Sequence, residues 1–275
     1  MNARWLFVVS LLFLTACSDK PIRTAEQTEQ EFYQEVREAL EDNNFLTAID
    51  KLKQLEARYP FGRYAEQAQL ELMYANYQTS NFDAVLADTE RFIRLNPLHE
   101  QVDYAYYMRG LATYELAFNL VEKYLSDEDD PDQRDATPLR DAYGHFADLL
   151  DRFPDSQYAG DARARMVFLR NRIAQTELSI ARYYMKRHAF LAVANRCNNL
   201  LLSFQKTDVI GDALALQTEA YQQLGLTAEA DKTLALLQLN FPDHPQLESG
   251  QFEPSGLTEE DRRTLIGVMT FGLID

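Results

Sequence analysis

AIDKLKQLEARYP, residues 48 to 60, carries the spacing of one buried helix face and ends on a helix breaker. Ala48, Ile49, Leu52, Leu55 and Tyr59 recur every three or four residues, as a helix with one apolar stripe requires. Pro60 lacks an amide donor and biases the residue before it away from helical dihedrals, so the helix stops there. The same frame returns as AYGHFADLLDRFP, Ala142 to Pro154, with Phe146 and Leu149 in the slots of Leu52 and Leu55. It returns again from Ala230 to Pro242, with Leu234 and Leu237. The likeness runs on past the prolines: Tyr64-Ala65 and Ala68 follow Pro60, and Tyr158-Ala159 and Ala162 follow Pro154. A repeated helix end, turn and helix start predicts stacked antiparallel helix pairs, since one pair cannot bury its apolar face alone.

Two weaker copies complete the series. Ala84 to Pro97 reads as one residue longer than the frame, and Val193 to Gln205 has glutamine where proline is expected, with Ala213 still in place behind it. The frame is similar to the second half of a tetratricopeptide repeat. The expected fold is therefore all-α, a tetratricopeptide-like superhelix of about five antiparallel helix pairs with a C-terminal capping helix. Upstream, Thr28 and Glu31 have the spacing of a capping box ahead of Phe32, Val36, Ala39 and Leu40, and Asn43-Asn44 breaks that first helix. In RFIRLNPLHEQVDYAYYMRGL, Arg91 to Leu111, Ile93 and Leu95 close one helix, Asn96-Pro97 stops it and Tyr104 opens the next. Gly110 then marks a place where a neighbouring helix can approach closely.

The organisation expected from these signals is an N-terminal set of pairs over 28–126, an acidic insertion over 127–138, a C-terminal set over 139–243, and a linker with a terminal helix over 244–275. SDEDDPDQRDATP, Ser126 to Pro138, is rich in aspartate but lacks the central glycine and terminal glutamate of a calcium loop, so it reads as a solvated loop. A long helix is expected from about Gly160 to Met185. Thr258 to Asp261 opens the terminal helix, with Leu265, Ile266, Met269 and Phe271 to seal the last pair.

Charge and motifs narrow the function classes. A formal net charge of −16 excludes a general phosphate-tracking surface, so no nucleic-acid partner is expected, and Arg163, Arg165, Arg170 and Arg172 read as a solvated helix face. His99, His145, His188 and His244 lie far apart, with no HExxH, no cysteine pair at metal spacing, no phosphate-cradling glycine loop and no GxSxG elbow. No catalytic residue, metal or cofactor is expected; the chain reads as a binding protein and not an enzyme.

Met1 to Cys17 is a targeting segment: Arg4, an apolar run from Trp5 to Leu14, then small residues before a cysteine. It is too short to span a bilayer. Leu14-Thr15-Ala16-Cys17 resembles the bacterial lipobox, in which cleavage precedes the cysteine. That resemblance implies a signal peptide over 1–16 and a mature chain beginning at Cys17, S-diacylglycerol on its thiol and N-palmitate on its freed amine. Several acyl chains hold a protein on a membrane, where one gives only marginal binding. Residues 17–27, polar and containing Pro21, suit a flexible tether. By resemblance to lipoprotein sorting rules, Ser18 in place of aspartate implies the outer membrane. Cys197, the remaining cysteine, has no intramolecular partner in the mature lipidated chain and reads as a small buried apolar residue.

A stack of helix pairs presents an extended surface lined by the first helix of each pair. Phe61, Tyr64, Tyr74 and Tyr77 are the aromatics of the first two pairs suited to furnish it, as a groove for the apolar side chains of an extended peptide. RYPFGRYAEQ at 58–67, RFIRLNP at 91–97, DYAYYMRGL at 103–111, SQYAGDA at 156–162, VFLRNRIA at 167–174 and ARYYMKRHAFLAVANR at 181–196 resemble the BamD (ComL) family of outer-membrane assembly lipoproteins, over roughly Phe32 to Leu237. The resemblance implies a periplasmic-face lipoprotein of the β-barrel assembly machine. It implies as partners the BamA periplasmic domains, held by the C-terminal repeats, other Bam lipoproteins, and unfolded β-barrel proteins received by the N-terminal repeats. By position in the ANR string it implies that Arg196 contacts the BamA-type partner. The alternative within the same architecture is a pilotin-like lipoprotein that localises a secretin, which should lack the DYAYYMRGL and VFLRNRIA strings.

Overall fold

The computed structural model describes residues 27–124 and 135–258, and every regular element among them is helical. Ten α-helices follow in order: α1 Glu29–Glu41, α2 Phe45–Arg58, α3 Ala65–Gln78, α4 Phe82–Leu95, α5 Val102–Tyr124, α6 Thr137–Arg152, α7 Ala159–Lys186, α8 Phe190–Ser203, α9 Ile210–Gln223 and α10 Thr227–Asn240. A single 3-10 turn, Pro245–Leu247, comes after them. Taken two by two they are the five expected pairs. Cys17, the body of the acidic insertion and the helix expected beyond Thr258 lie outside the described residues. Thr137 and Pro138, assigned to the insertion from sequence, open α6, where proline's missing amide costs nothing in the first turn.

Turns within pairs share one chemistry. Asn43, Ser80, His188 and Gly225 take positive φ values of 55, 56, 57 and 70°. Each is followed by an amide that reaches back five residues to a helix carbonyl: Asn44 to Ala39 (2.8 Å), Asn81 to Asn76 (2.9 Å), Ala189 to Tyr184 (2.9 Å) and Leu226 to Tyr221 (2.9 Å). This is the Schellman closure, which satisfies the last carbonyls of a helix and reverses the chain within three residues. Three of the four left-handed residues are not glycine, so the motif was visible in sequence only at Asn43 and Gly225.

Turns between pairs share another. Tyr59, Asn96, Phe153 and Phe241, each before a proline, have φ between −127 and −137° and ψ between 54 and 64°. Phe204, before Gln205, keeps φ at −125° but relaxes to ψ 31°, because no pyrrolidine ring presses on it. Two residues after the proline, His99, Ser156 and His244 accept the amide of the second residue beyond (3.0, 3.2 and 3.3 Å). Gly62 has no side chain to do so, and Glu29 of α1 takes the Tyr64 amide instead at 2.8 Å.

Burial corrects one register. In α4 the wholly buried positions are Val85, Thr89 and Phe92, which with Pro97 repeat the offsets of Ala48, Leu52, Leu55 and Pro60. The second pair is therefore not one residue longer; its anchor is Val85 and not Ala84, and a threonine occupies the large-residue slot. Leu95, expected to close the apolar face, is exposed.

The chain divides into two compact units inside α3, between Ala75 and Asn76. In the first, Phe32, Val36 and Ala39 of α1 meet Ala48, Leu52 and Leu55 of α2 and Ala68, Leu72 and Ala75 of α3. The capping box is present at its start, Thr28 Oγ1 accepting from the Glu31 amide and the Glu31 carboxylate from the Thr28 amide at 2.8 Å. In the second unit α7, 28 residues long, joins two cores. Its first half packs Ala162, Leu169 and Ile173 with α4, α5 and α6, and its second half packs Ala174, Leu178, Ala181 and Met185 with α8 and α9. Gly110 lets α5 and α6 touch: a Cβ there would lie 2.7 Å from Phe146. After α10 the chain folds back over α9, with Leu247 and Phe252 against Leu214 and Ala215, and the Ser255 amide on the buried Glu219 carboxylate at 2.8 Å. α9 is consequently buried along nearly its whole length.

Candidate functional site

In the first unit the expected groove residues have different neighbours. Tyr64 stacks face to face on Tyr33 of α1, 4.2 Å between centroids and 8° from parallel. Tyr33 donates its hydroxyl to Glu71 Oε1 at 2.7 Å, and Gln67 and Arg37 reach the same carboxylate at 3.1 and 3.6 Å. Burial and the Glu71 carboxylate raise the Tyr33 pKa well above that of a free phenol. Tyr74, 42% exposed, meets Phe45 edge-on at 5.8 Å, and Phe61 projects wholly into solvent. The result is a stacked pair of rings, Tyr33 on α1 and Tyr64 in the turn before α3, backed by the buried Glu71 carboxylate. Tyr33 and Glu71 were not singled out from sequence, since neither has a motif; only their helical spacing from Arg37 and Gln67 could have drawn attention.

Tyr77 belongs to the second unit. Its ring packs on Phe82 at 5.6 Å and its hydroxyl donates to Glu115 of α5 at 3.1 Å. It sits beside a ladder of rings that sequence reasoning passed over. Tyr104 and Tyr158 lie 5.7 Å apart, Tyr158 stacks on Tyr107 at 4.6 Å and 11°, Tyr114 packs on Phe118 at 4.5 Å, and Phe118 on Phe168 at 5.4 Å. Between the stacked tyrosines and the phenylalanines lies an ion pair, Arg165 Nε to Asp161 Oδ2 at 2.6 Å. Asp161 also accepts from Tyr107 at 2.8 Å, and the Arg165 guanidinium lies 4.8 Å over the Tyr114 ring. Burial first, then the neighbouring carboxylates, pushes Tyr77 and Tyr107 up to about 12. Tyr104, Tyr107, Tyr114 and Phe118 follow helical spacing, so the stripe was present in the sequence; which neighbour it faced was not. Arg165, read from sequence as part of a solvated face, is half-buried in this ladder.

Arg196, the expected partner contact, is held from below. Glu177 of α7, only 3% exposed, binds Arg196 Nη1 of α8 through Oε2 at 2.6 Å and Arg140 Nη2 of α6 through Oε1 at 2.5 Å. Burial opposes the Arg196 charge, but the Glu177 hydrogen bond and charge, with Tyr184, hold its pKa above the ordinary guanidinium value. A third of the side chain still faces solvent. Cys197 beside it is fully buried, and burial pushes its thiol up to about 12. Among the described residues no group of histidine, cysteine and carboxylate side chains is arranged to hold a metal ion, and no helix is long and apolar enough to cross a membrane.

Comparison with known proteins agrees with this architecture. The family model YfiO, described as an outer membrane lipoprotein, matches residues 25–236. The chain is 42% identical over 235 residues to a Vibrio cholerae protein named outer membrane protein assembly factor BamD, covering 86% of this chain and 96% of that one. A protein of the same name from Neisseria meningitidis serogroup A is 41% identical over 249 residues, 88% of this chain and 92% of its own length. One from Haemophilus influenzae is 34% identical over 235 residues, 86% and 88% of the two chains. With a family match across most of its length and relatives of this identity, the chain belongs to the YfiO family of outer membrane lipoproteins.

Proposed function

We propose that this chain is an outer-membrane protein assembly factor: a non-enzymatic scaffold, lipid-anchored through Cys17 on the periplasmic face, that receives unfolded β-barrel proteins and holds the barrel-forming subunit BamA. The observation that carries this reading is the 42% identity, over nearly the whole of both chains, to a protein bearing the assembly-factor name. The structure supplies parts suited to the task. Ring faces on and just before the first helix of each pair, as at Tyr33 and Tyr64 and along α5 and α7, suit extended chains rich in apolar and aromatic side chains without reading one sequence. Arg196 presents a guanidinium already oriented by Glu177, so its contact with a partner carboxylate loses less conformational freedom than a free side chain would.

No bond is broken in this mechanism. A substrate end docks by its apolar face while the second unit keeps the barrel subunit in place. Affinity purification of the lipidated chain from solubilised outer membranes tests the assignment. Recovery of BamA supports it, and recovery of a secretin without BamA would replace it with the pilotin alternative. For the substrate surface, a peptide ending in the terminal aromatic of a barrel protein is retained by the wild-type chain and lost by the Tyr64→Ala/Tyr74→Ala double variant. Unchanged retention by a variant with an unaltered melting profile sinks the Tyr64 and Tyr74 assignment.

A further inference from the structure

Phe61, expected from sequence among the groove aromatics, stands 100% exposed at the tip of the turn between α2 and α3. One exposed apolar side chain is ordinary by itself. Leu98, at the same place after Pro97, is 96% exposed as well, while Asp155, Lys206 and Asp243 stand there in the remaining turns, so exposure alone does not mark the site. Two observations give Phe61 a destination. RYPFGRY, Arg58 to Tyr64, carries two exposed arginines in a chain of net charge −16, and the carboxylate that meets the turn is that of Glu29 on α1. Arg58 and Arg63 lie 5.7 Å over the rings of Phe32 and Tyr64, so their stems are supported at the base of the turn while both residues remain exposed.

The second observation is where the tether enters. Tyr59 donates its hydroxyl to the Gln27 carbonyl at 2.7 Å, and Glu29 accepts the Tyr64 amide at 2.8 Å. The first described residues are thus pinned to the Phe61 turn. Ten residues separate Gln27 from Cys17, and ten residues span at most about 36 Å whatever their conformation. A lipid on Cys17 therefore keeps Gln27, and with it the Tyr59 base of this turn, within about that distance of the membrane surface.

We infer that the Phe61 turn is a second membrane contact, its ring entering the boundary between headgroups and acyl chains and Arg58 and Arg63 meeting the phosphates of anionic phospholipids. The inference rests on the Cys17 anchoring proposed above. Its consequence is orientation: an anchor and a wedge fix which side of the first unit faces the bilayer, where a tether alone leaves it free to turn.

The chain's one tryptophan is Trp5, in the segment removed on maturation, so a tryptophan placed at position 61 is the sole reporter in the mature protein. Lipidated Phe61→Trp protein is reconstituted in phosphatidylethanolamine and phosphatidylglycerol vesicles with brominated acyl chains. Leu46→Trp is the control, 74% exposed but near the opposite end of α2. The expected result is a blue-shifted, quenched emission from F61W and neither effect from L46W, with F61W quenching reduced by Arg58→Ser/Arg63→Ser. Equal emission from the two variants overturns the inference, as does an F61W shift that requires the barrel subunit and is absent in vesicles. Mass spectrometry separates the two levels: an acylated chain with unquenched F61W refutes the Phe61 contact alone, whereas an unacylated Cys17 refutes the anchoring as well.

Discussion

Replacing Gly110 by alanine tests whether the close approach of α5 and α6 is a requirement of this fold. The new Cβ would stand 2.7 Å from Cδ1 and Cε1 of Phe146 and 3.2 Å from Cζ. Carbon atoms in good contact lie about 3.5–4.0 Å apart, so the ring or the helix must move by about 0.8 Å. Phe146 has no room to yield, being wholly buried on α6 with Tyr107 and Tyr114 against it. Overpacking of this kind costs about 1–3 kcal/mol. Against it, alanine in a helix interior is favoured over glycine by about 1 kcal/mol. The net expectation for Gly110→Ala is a loss of about 1 kcal/mol. Gly144→Ala, on the exposed face of α6 with nothing within 4 Å of the added carbon, keeps the propensity gain and stabilises by about 0.5–1 kcal/mol. Two glycine-to-alanine changes in one helix pair should thus differ by about 2 kcal/mol, or roughly 4–8 °C in the melting temperature of a domain of this size. Urea and thermal unfolding followed by far-ultraviolet circular dichroism measure both. Phe146→Leu provides the cycle: it should destabilise the wild type but cost about 1 kcal/mol less in the Gly110→Ala background. Equal stability of the two alanine variants, or an additive cycle, would refute the steric argument.

Three other outcomes follow from the site chemistry. Arg196→Ala leaves one oxygen of the buried Glu177 without its donor and should destabilise the second unit by about 1–3 kcal/mol, while Arg140→Ala/Arg196→Ala should cost more than the sum of the single changes; chemical denaturation of the three variants decides it. Tyr77 and Tyr107 ionise above the ordinary value of 10, so the folded state holds their protons where the unfolded chain has lost them; their stabilising contribution is full below pH 10 and falls as pH rises through about 12. Ultraviolet titration should show late-ionising phenols, with the late fraction reduced in Asp161→Asn, and unfolding at stepped pH should lose stability over that window. Cys197 should resist a thiol reagent in the native protein and react fully in urea, and rapid native labelling would contradict its burial.

Much of the fold was legible in the chain because stacked repeats write their packing as a period. Ala48, Leu52 and Leu55 had to face one way and Pro60 had to end the helix, and no tertiary information was needed to see it repeated at Ala142 and Ala230. Sequence points to Ala84 for this copy, one residue early, because alanine is the anchor of the clearer copies, whereas packing requires only a small or branched side chain in that slot, which Val85 supplies, and a buried atom at Thr89. Gln205 was legible as a proline substitute, since the five-residue turn is held by backbone hydrogen bonds common to all copies. The long α7 was likewise foreseeable, because its sequence contains no breaker between Gly160 and Met185.

Sequence alone could fix what each residue's own helix demands: the apolar stripe, the stop, the cap and the close approach at Gly110. It could not fix what lies across from a side chain, since that depends on residues far away in the chain. Tyr64 can be named a groove candidate from sequence, but not that Tyr33 lies 4.2 Å beneath it, and nothing in the chain shows that Tyr107 and Tyr158, 51 residues apart, are stacked. Arg196 reads from the resemblance as a partner contact, and only the packing of α6, α7 and α8 brings Glu177 and Arg140 to it. Periodicity is a local property and so survives in one dimension; the pairing of rings and charges is decided by how helices stack, which only the tertiary structure supplies.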